Sequence, residues 1–310
     1  WDCGGLYKLS NFPSKKTLTW NGHFRDDLRR FWKGDKDTAW KMSDKIKGSP
    51  MIYKENNISP KSINFITSHD GFTLKDLVTF NEKHNFANKE QNKDGDNHNN
   101  SWNNGVEGPT TNSLVKDLRK QQQKNLLFSL LISKGVPMLL MGDEIGRSQG
   151  GNNNSWCQNN LLGWMNWDDS QKDLDLLDYL KYLIRIRKHL IKILNPSSSP
   201  NTNNLESIAK YHWHGAKLDN PDWSSWSHTI AFSINKGNTN PLLWAGLNAY
   251  SKEIDFCVPK SRGNWLKVID TSIPGIFPPS PMNEKSTLVK SRSSVLIISE
   301  EVFGTENNIF

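Results

Sequence analysis

The segment Ile63-Asn64-Phe65-Ile66-Thr67-Ser68-His69-Asp70-Gly71-Phe72 leads from a short apolar run directly into a His-Asp pair. An apolar run of this length, bounded by polar residues and glycine, predicts a buried strand over 62–67. Barrel enzymes place their catalytic groups at the C-terminal ends of parallel strands, so we expect His69 and Asp70 to be functional. The pair alone leaves a helix-capping turn at Asp70 open as the alternative.

A second apolar run at 137–141 is followed by the acidic pair Asp143-Glu144. It comes after leucines that recur at helical spacing from 114 to 133, which predicts a helix and then a second buried strand. Since strand–helix–strand units cross over right-handed, we expect the two strands to be parallel neighbours. Asp70 and Asp143 are then predicted to open onto the same face.

The remaining pattern changes character along the chain. Helices are predicted over 24–32, 38–44 and 174–190, the last with an apolar stripe of Leu177, Leu180, Leu183 and Ile184. Beyond residue 204, strand-like runs separated by Gly, Pro and Asn predict an antiparallel sandwich. These runs lie at 207–213, 229–234, 242–247, 265–269 and 295–298. The predicted domains are therefore 1–196 and 204–310.

Composition narrows the class of protein. The formal net charge of the 310 residues is +7, but the lysines are scattered among asparagines and form no stripe with interleaved aromatics, so we expect no nucleic-acid partner. No apolar stretch has the length of a membrane span, and no signal peptide opens the chain. Cys3, Cys157 and Cys257 lie far apart without metal-type spacing, which favours reduced thiols in a cytoplasmic compartment. We expect neither a metal nor a cofactor.

Eight motifs in chain order resemble the C-terminal half of isoamylase-type glycogen and starch debranching enzymes of the α-amylase family. They are Trp-Asp-Cys-Gly-Gly at 1–5, Trp-Asn-Gly at 20–22, Arg-Asp at 25–26, and the segments 68–74, 81–85, 105–110, 135–144 and 151–154. A fainter likeness continues through Trp223, 247–250 and 294–296.

The resemblance implies the C-terminal part of a (β/α)8 TIM barrel followed by an all-β sandwich domain. It implies retaining hydrolysis of α-1,6 branch linkages in glycogen, amylopectin or limit dextrin, in the cytoplasm or, in a plant or alga, the plastid stroma. It makes Asp70 the carboxylate that grips sugar hydroxyls and stabilises the transition state, with His69 bonded to the same sugar. An oxocarbenium-like transition state flattens the sugar ring, so such contacts can strengthen there.

Further sugar contacts are expected in the loop after the second strand. Candidates are Asp143, Glu144, Arg147, Asn152 and Asn153, because carboxylates and amides bond well to hydroxyls. Alternatives stay open: Asp143-Glu144 as a cap or an ion pair with Arg147, and the asparagines as a plain turn. Trp102 and Trp156 could stack on sugar or simply anchor their loops, and anchoring is favoured.

A retaining glycosidase needs two further carboxyls, a nucleophile and an acid/base, about 5–5.5 Å apart. In the family that the chain resembles, both lie upstream of the motif at 1–5. We therefore expect the 310 residues to be inactive alone and to carry half of an active site. A non-catalytic glucan-binding or regulatory subunit with the same fold is the alternative function.

Overall fold

A computed structural model describes Leu9 and residues 17–53, 62–167, 174–194, 209–261 and 263–302. The helices in these ranges are α1 (Gly22–Lys33), α2 (Ala39–Ile46), α3 (Pro50–Tyr53), α4 (Leu74–Leu77), α5 (Ser113–Ile132) and α6 (Leu174–Leu194). The strands of the first half are β1 (Thr19–Trp20), β2 (Ser62–Phe65) and β3 (Val136–Met138). The later strands are β4 (Ala209–His214), β5 (Thr229–Lys236), β6 (Leu243–Asn248), β7 (Ile254–Cys257), β8 (Trp265–Asp270), β9 (Ser280–Met282), β10 (Ser286–Val289) and β11 (Ser293–Ser299).

The first three strands form a parallel sheet in the order β1-β2-β3. Ile63 is opposite Val136 and Phe65 is opposite Met138, so the predicted parallel pairing of the two apolar runs is confirmed. Both strands are shorter than predicted. The chain leaves the ladder after Met138 and turns at Gly142, whose φ of 97° favours glycine.

Local sequence explains where the helices of this half begin and end. The side chain of Asn21 caps α1 by accepting a hydrogen bond from Phe24 N at 3.0 Å, and the helix stops at Gly34 in the left-handed region. Asn112 caps α5 in the same way. The last carbonyls beyond α5 are bonded by the buried Arg187 of α6, which donates to Ser133 O at 3.0 Å and to Gly135 O at 2.6 Å.

The apolar stripe predicted for α6 is confirmed in part, because Leu180 and Leu183 are buried in the core. Ile184 is 37 % exposed and Leu177 is only half-buried, whereas Tyr179 and Tyr182 are buried. The tyrosine rings can face the core because their hydroxyls donate to backbone carbonyls, those of Lys124 and Val268 respectively. The buried face of α6 thus contains Leu180 and Leu183 together with two tyrosines, and not Leu177 or Ile184.

The second half contains two antiparallel sheets, six strands in the order β4-β5-β6-β11-β8-β9 and a pair β10-β7. The five predicted strands and their antiparallel pairing are confirmed, while the short β7, β9 and β10 were not predicted. Alternate residues of β6 and β11 point to opposite faces, and both faces are buried. One face packs on the pair β7 and β10 through Trp244, Phe256, Val289, Val295 and Ile297.

The other face of the six-stranded sheet packs against the helices. A single hydrophobic cluster includes Phe31 of α1, Leu127 of α5, Leu183 of α6, Phe232 of β5 and Leu296 of β11. The two predicted domains therefore share a core, and their predicted boundary at 196–204 lies outside the described residues. No described helix has the length and apolarity needed to cross a membrane.

Candidate functional site

His69 and Asp70 lie just past the C-terminal end of β2, in the middle of the parallel sheet. Their side chains are 67 % and 76 % exposed, and His69 Nε2 is 3.3 Å from Asp70 Oδ2. Trp20, at the end of β1, presents its ring edge-on to the His69 imidazole at a centroid distance of 5.9 Å and also contacts Phe65. An imidazole and a carboxylate therefore stand together beside an indole, all reachable from solvent.

The backbone that carries this pair is held by a buried guanidinium. Arg29 of α1 donates from Nε and Nη2 to Ile66 O, at 3.0 and 2.6 Å, and from Nη1 to Asn99 O at 2.8 Å. Burial lowers the pKa of Arg29 to about 9, so it stays charged at neutral pH. Arg29 was not among the predicted site residues. The sequence pattern that could have identified it is a basic residue beside the apolar face of α1 that contains Phe24 and Leu28.

Asp143 lies at the same end of the sheet, but its side chain is buried, only 3 % of the residue being exposed. Oδ2 accepts a hydrogen bond from Thr67 Oγ1, and Oδ1 accepts one from Leu74 N at 2.9 Å, at the start of α4. The expectation that Asp143 opens onto the same face as Asp70 is therefore wrong. Both its oxygens face inward, so it joins the segment after β2 to the turn after β3.

This buried carboxyl predicts a dependence of stability on pH. Burial raises the pKa of Asp143 from 3.8 to about 7, so between these values the folded chain holds more proton at this site than the unfolded chain. The contribution of Asp143 to the free energy of unfolding should therefore fall as the pH rises from 3.8 to about 7, and Asp143→Asn should remove that contribution and make the overall slope less negative. Urea unfolding across this range measures it, with exposed Asp178→Asn as the control. An unchanged slope in Asp143→Asn would contradict the prediction.

Asn153 joins the loop after β3 to the long loop at 81–112. Its Nδ2 donates to Asp96 O at 2.7 Å and to Asn99 Oδ1 at 2.9 Å, and its Oδ1 accepts from Asn85 Nδ2 at 2.8 Å. Its own carbonyl accepts a hydrogen bond from Gly71 N at 2.9 Å, directly after the His-Asp pair. Asn153 is 2 % exposed, so its amide is not available to sugar, and the predicted contact is corrected to a supporting role.

Asn152 also connects the two loops through a buried side chain. It is fully buried, and its Nδ2 donates to Asn88 Oδ1 at 2.8 Å. Beside it, Asp94 Oδ2 accepts from Asn88 Nδ2 at 2.7 Å and from Asn154 Nδ2 at 2.9 Å. Asn152 and Asn153 can be buried because their amides bond to residues more than 50 positions away in the chain. In the sequence alone, the asparagine run therefore resembled a plain polar loop.

Asn153→Ala is expected to lower the free energy of unfolding by about 3 kcal/mol. The substitution leaves buried partners in both loops without hydrogen bonds, and each such group costs about 1–3 kcal/mol. Chemical denaturation measures the loss. Asn97→Ala, an exposed asparagine of the same loop, serves as the control and should change stability by less than about 0.5 kcal/mol. Equal effects of the two substitutions would contradict the supporting role.

Glu144 and Arg147 are half-buried and separate. Glu144 Oε2 accepts a hydrogen bond from Gly142 N at 2.7 Å, and Arg147 Nη2 donates to Gly163 O at 2.8 Å. Within the described ranges no ion pair joins Arg147 to Asp143 or Glu144, and no hydrogen bond joins either half-buried residue to the His-Asp pair.

The two loop tryptophans differ. The Arg292 guanidinium lies 4.7 Å from the centroid of the Trp102 ring, which favours loop anchoring for that residue. Trp156 is 77 % exposed on the loop after β3. It keeps an open aromatic face of the kind that stacks on sugar.

A second buried carboxyl supports the same region. Asp76 of α4 accepts hydrogen bonds from Ser148 Oγ at 2.5 Å and from Gln149 N at 2.7 Å, and burial raises its pKa. It ties α4 to the loop after β3, as Asp143 does from the other side. The exposed pair thus rests on a frame of buried polar residues.

No family model matches the chain. Among curated proteins, isoamylase 1, chloroplastic, of Oryza sativa subsp. japonica is 40 % identical over 280 residues, which cover 89 % of this chain and 34 % of that protein. The glycogen debranching enzyme of Dickeya chrysanthemi is 38 % identical over 268 residues, which cover 86 % of this chain and 39 % of that protein. The resemblance to isoamylase-type debranching enzymes is confirmed.

The isoamylase-type relatives are much longer than the matched segment. The chain spans little more than a third of the length of the two relatives named. Among solved structures, pullulanase type I from Bacillus subtilis str. 168, complexed with maltose, matches with a TM-score of 0.62 at 19 % identity, over 91 % of this chain and 35 % of that one. At that identity the match supports a pullulanase-like α/β fold.

Proposed function

We propose that this chain forms part of a debranching glycoside hydrolase that cleaves α-1,6 branch linkages in glycogen- or starch-type α-glucans. The observation that carries the proposal is the exposed His69–Asp70 pair at the C-terminal end of a central parallel strand. It stands in a chain 38–40 % identical to an isoamylase and a glycogen debranching enzyme. The compartment that we propose is the cytoplasm, or the plastid stroma in a plant or alga.

The proposed architecture is the C-terminal part of a (β/α)8 barrel, residues 1–196, followed by an antiparallel β-sandwich, residues 204–310. Parallel pairing of β1, β2 and β3, with α1 packed beside β2, supports the first part. The two packed antiparallel sheets support the second. The sugar site is then the rim at the C-terminal ends of the parallel strands.

In the proposed mechanism Asp70 accepts hydrogen bonds from hydroxyls of the sugar at the cleavage point, and His69 bonds to the same sugar. As the ring flattens toward the oxocarbenium-like transition state, the Asp70 carboxylate also stabilises the developing positive charge. The nucleophile and the acid/base are assigned to upstream residues of the longer protein. Glu144, Arg147 and Trp156 are proposed to contact neighbouring sugars, while Asp143, Asn152 and Asn153 hold the loops.

The experiment is the hydrolysis of amylopectin by the intact protein, followed by proton NMR. Retention predicts that the first reducing ends are α-anomers, and α-1,6 specificity predicts the loss of branch-point signals with linear chains as products. β-Anomers, or loss of α-1,4 signals alone, would contradict the proposal. Glucan binding without any hydrolysis would favour the non-catalytic subunit.

A further inference from the structure

An open groove lined by tryptophans lies between α2 and the start of the six-stranded sheet, with a volume of about 420 Å³. One wall is a single face of α2, since Trp40, Ser43, Asp44 and Lys47 follow each other at helical spacing. The opposite wall consists of Trp213 of β4 and Trp223 of the loop between β4 and β5. The volume falls within the usual range of small-molecule sites.

The aromatic walls are rigid before any ligand arrives. The Trp213 ring packs on the buried Phe232, with centroids 5.5 Å apart, and meets the Trp223 ring edge-on at 6.1 Å. A backbone hydrogen bond from Asp37 N to Ser225 O, 2.8 Å long, fastens the loop that carries Trp223 to the segment before α2. Both walls are therefore fixed relative to each other, which lowers the entropy cost of binding.

The rings remain open although the surrounding structure is ordered. Trp40 and Trp223 are each 38 % exposed, and Met51 at the edge is 71 % exposed. Large exposed aromatic surfaces rimmed by polar groups mark interaction sites. On the α2 wall the half-buried Ser43 and Lys47 lie among the indoles, whereas the Asp44 carboxylate is buried and paired with Lys45 Nζ at 2.8 Å. The groove therefore offers flat apolar faces together with a hydroxyl and an ammonium group.

That combination suits a carbohydrate better than an apolar protein surface. A glucose ring has C–H faces that stack on indole and a rim of hydroxyls that bond to Ser43 and Lys47. An apolar helix or strand would stack on the indoles but would offer no hydrogen-bonding groups to the half-buried Ser43 and Lys47 on the α2 wall. We propose that this groove binds a linear chain of an α-glucan, which rests on the proposed function for the choice of sugar.

The groove is separate from the candidate active site. The C-terminal end of α2 lies beside the start of β3, because Lys134 N donates to Ile46 O at 2.9 Å. The groove is therefore toward the N-terminal ends of the parallel strands, whereas His69 and Asp70 follow the C-terminal end of β2. A glucan held there would stay bound at one point while branches are presented elsewhere.

The test is native electrophoresis of the intact protein through gels with and without amylopectin. The double variant Trp40→Ala/Trp223→Ala should raise the apparent Kd for amylopectin by about tenfold, from two stacking contacts. Trp226→Ala removes an equally large indole, 70 % exposed, from the same loop but outside the groove, and should leave the retardation unchanged. Reducing-end release from a short branched oligosaccharide should persist in the double variant, which separates this site from the active site.

Unchanged retardation in the double variant, equal loss in Trp226→Ala, or no retardation of the unmodified protein would overturn the proposal. The same holds if light scattering shows that the double variant only disrupts a dimer. If the alanine variants fail to fold, oxidative labelling of the unmodified protein decides. Maltoheptaose should then protect Trp40 and Trp223 but not Trp226, and equal labelling with and without it would overturn the inference.

Discussion

Asp70→Asn is expected to lower kcat of the intact protein on amylopectin by at least about 100-fold, the usual loss when one electrostatic stabiliser is removed. Asparagine keeps the shape and one acceptor oxygen but removes the negative charge that would face the developing oxocarbenium ion. The backbone of the loop is fixed by Arg29 and Asn153, so the substitution should leave the local structure intact.

Initial rates of reducing-end release measure the effect. Because the contact strengthens in the transition state, kcat should fall far more than KM changes. Asp178→Asn, an exposed carboxylate on α6, is the matched control and should keep full activity. A kcat for Asp70→Asn within about threefold of the unmodified protein would show that the Asp70 carboxylate does not stabilise the transition state.

The second large effect concerns the 310 residues taken alone. Purified without upstream sequence, the chain should release no reducing ends from glycogen or amylopectin above background. Asp70 can hold a hydroxyl, but retaining hydrolysis also requires attack on the anomeric carbon and protonation of the leaving oxygen. Addition of an upstream segment with both carboxyls, in one chain or in trans, should create activity.

The same assay is run at equal concentration on the 310 residues alone, the short chain, and on the chain with the upstream segment, the long chain. Circular dichroism and thermal unfolding test whether each is folded. A long chain in which the two added carboxyls are replaced by amides provides the control for mere stabilisation, and it should be as inactive as the short chain. Clear activity of a folded short chain would mean that the catalytic pair lies within residues 1–310.

The sequence predicted the features that local periodicity determines. The apolar runs at 62–67 and 137–141 predicted parallel partners because buried strands are continuous in hydrophobicity, and the leucine spacing of α5 predicted its extent within one residue at each end. The strands β7, β9 and β10 were missed because three or four residues carry too little alternation to stand out.

The sequence predicted the position of the two exposed residues of the candidate site. It also predicted sugar contacts for three residues whose side chains are buried beneath that pair. His69 and Asp70 are where the strand-end rule placed them, but Asp143, Asn152 and Asn153 face inward. A polar side chain is buried only when distant partners satisfy it, and those partners are 69 residues away for Asp143 Oδ1 and 68 for Asn153 Oδ1. No local pattern carries that information.

The six-stranded sheet is covered by helices on one face and by β7 and β10 on the other. This packing limits which substitutions and which recombination events the chain can tolerate during evolution. Residues of β5, β6 and β11 that face α1, α5 and α6 must change together with the helices, because interiors are packed too densely to absorb a lone change in volume. Exchange of the C-terminal half between diverged relatives by recombination would therefore bring unmatched surfaces together. Such hybrid proteins should fold stably only when the exchanged segment also includes α1, α5 and α6.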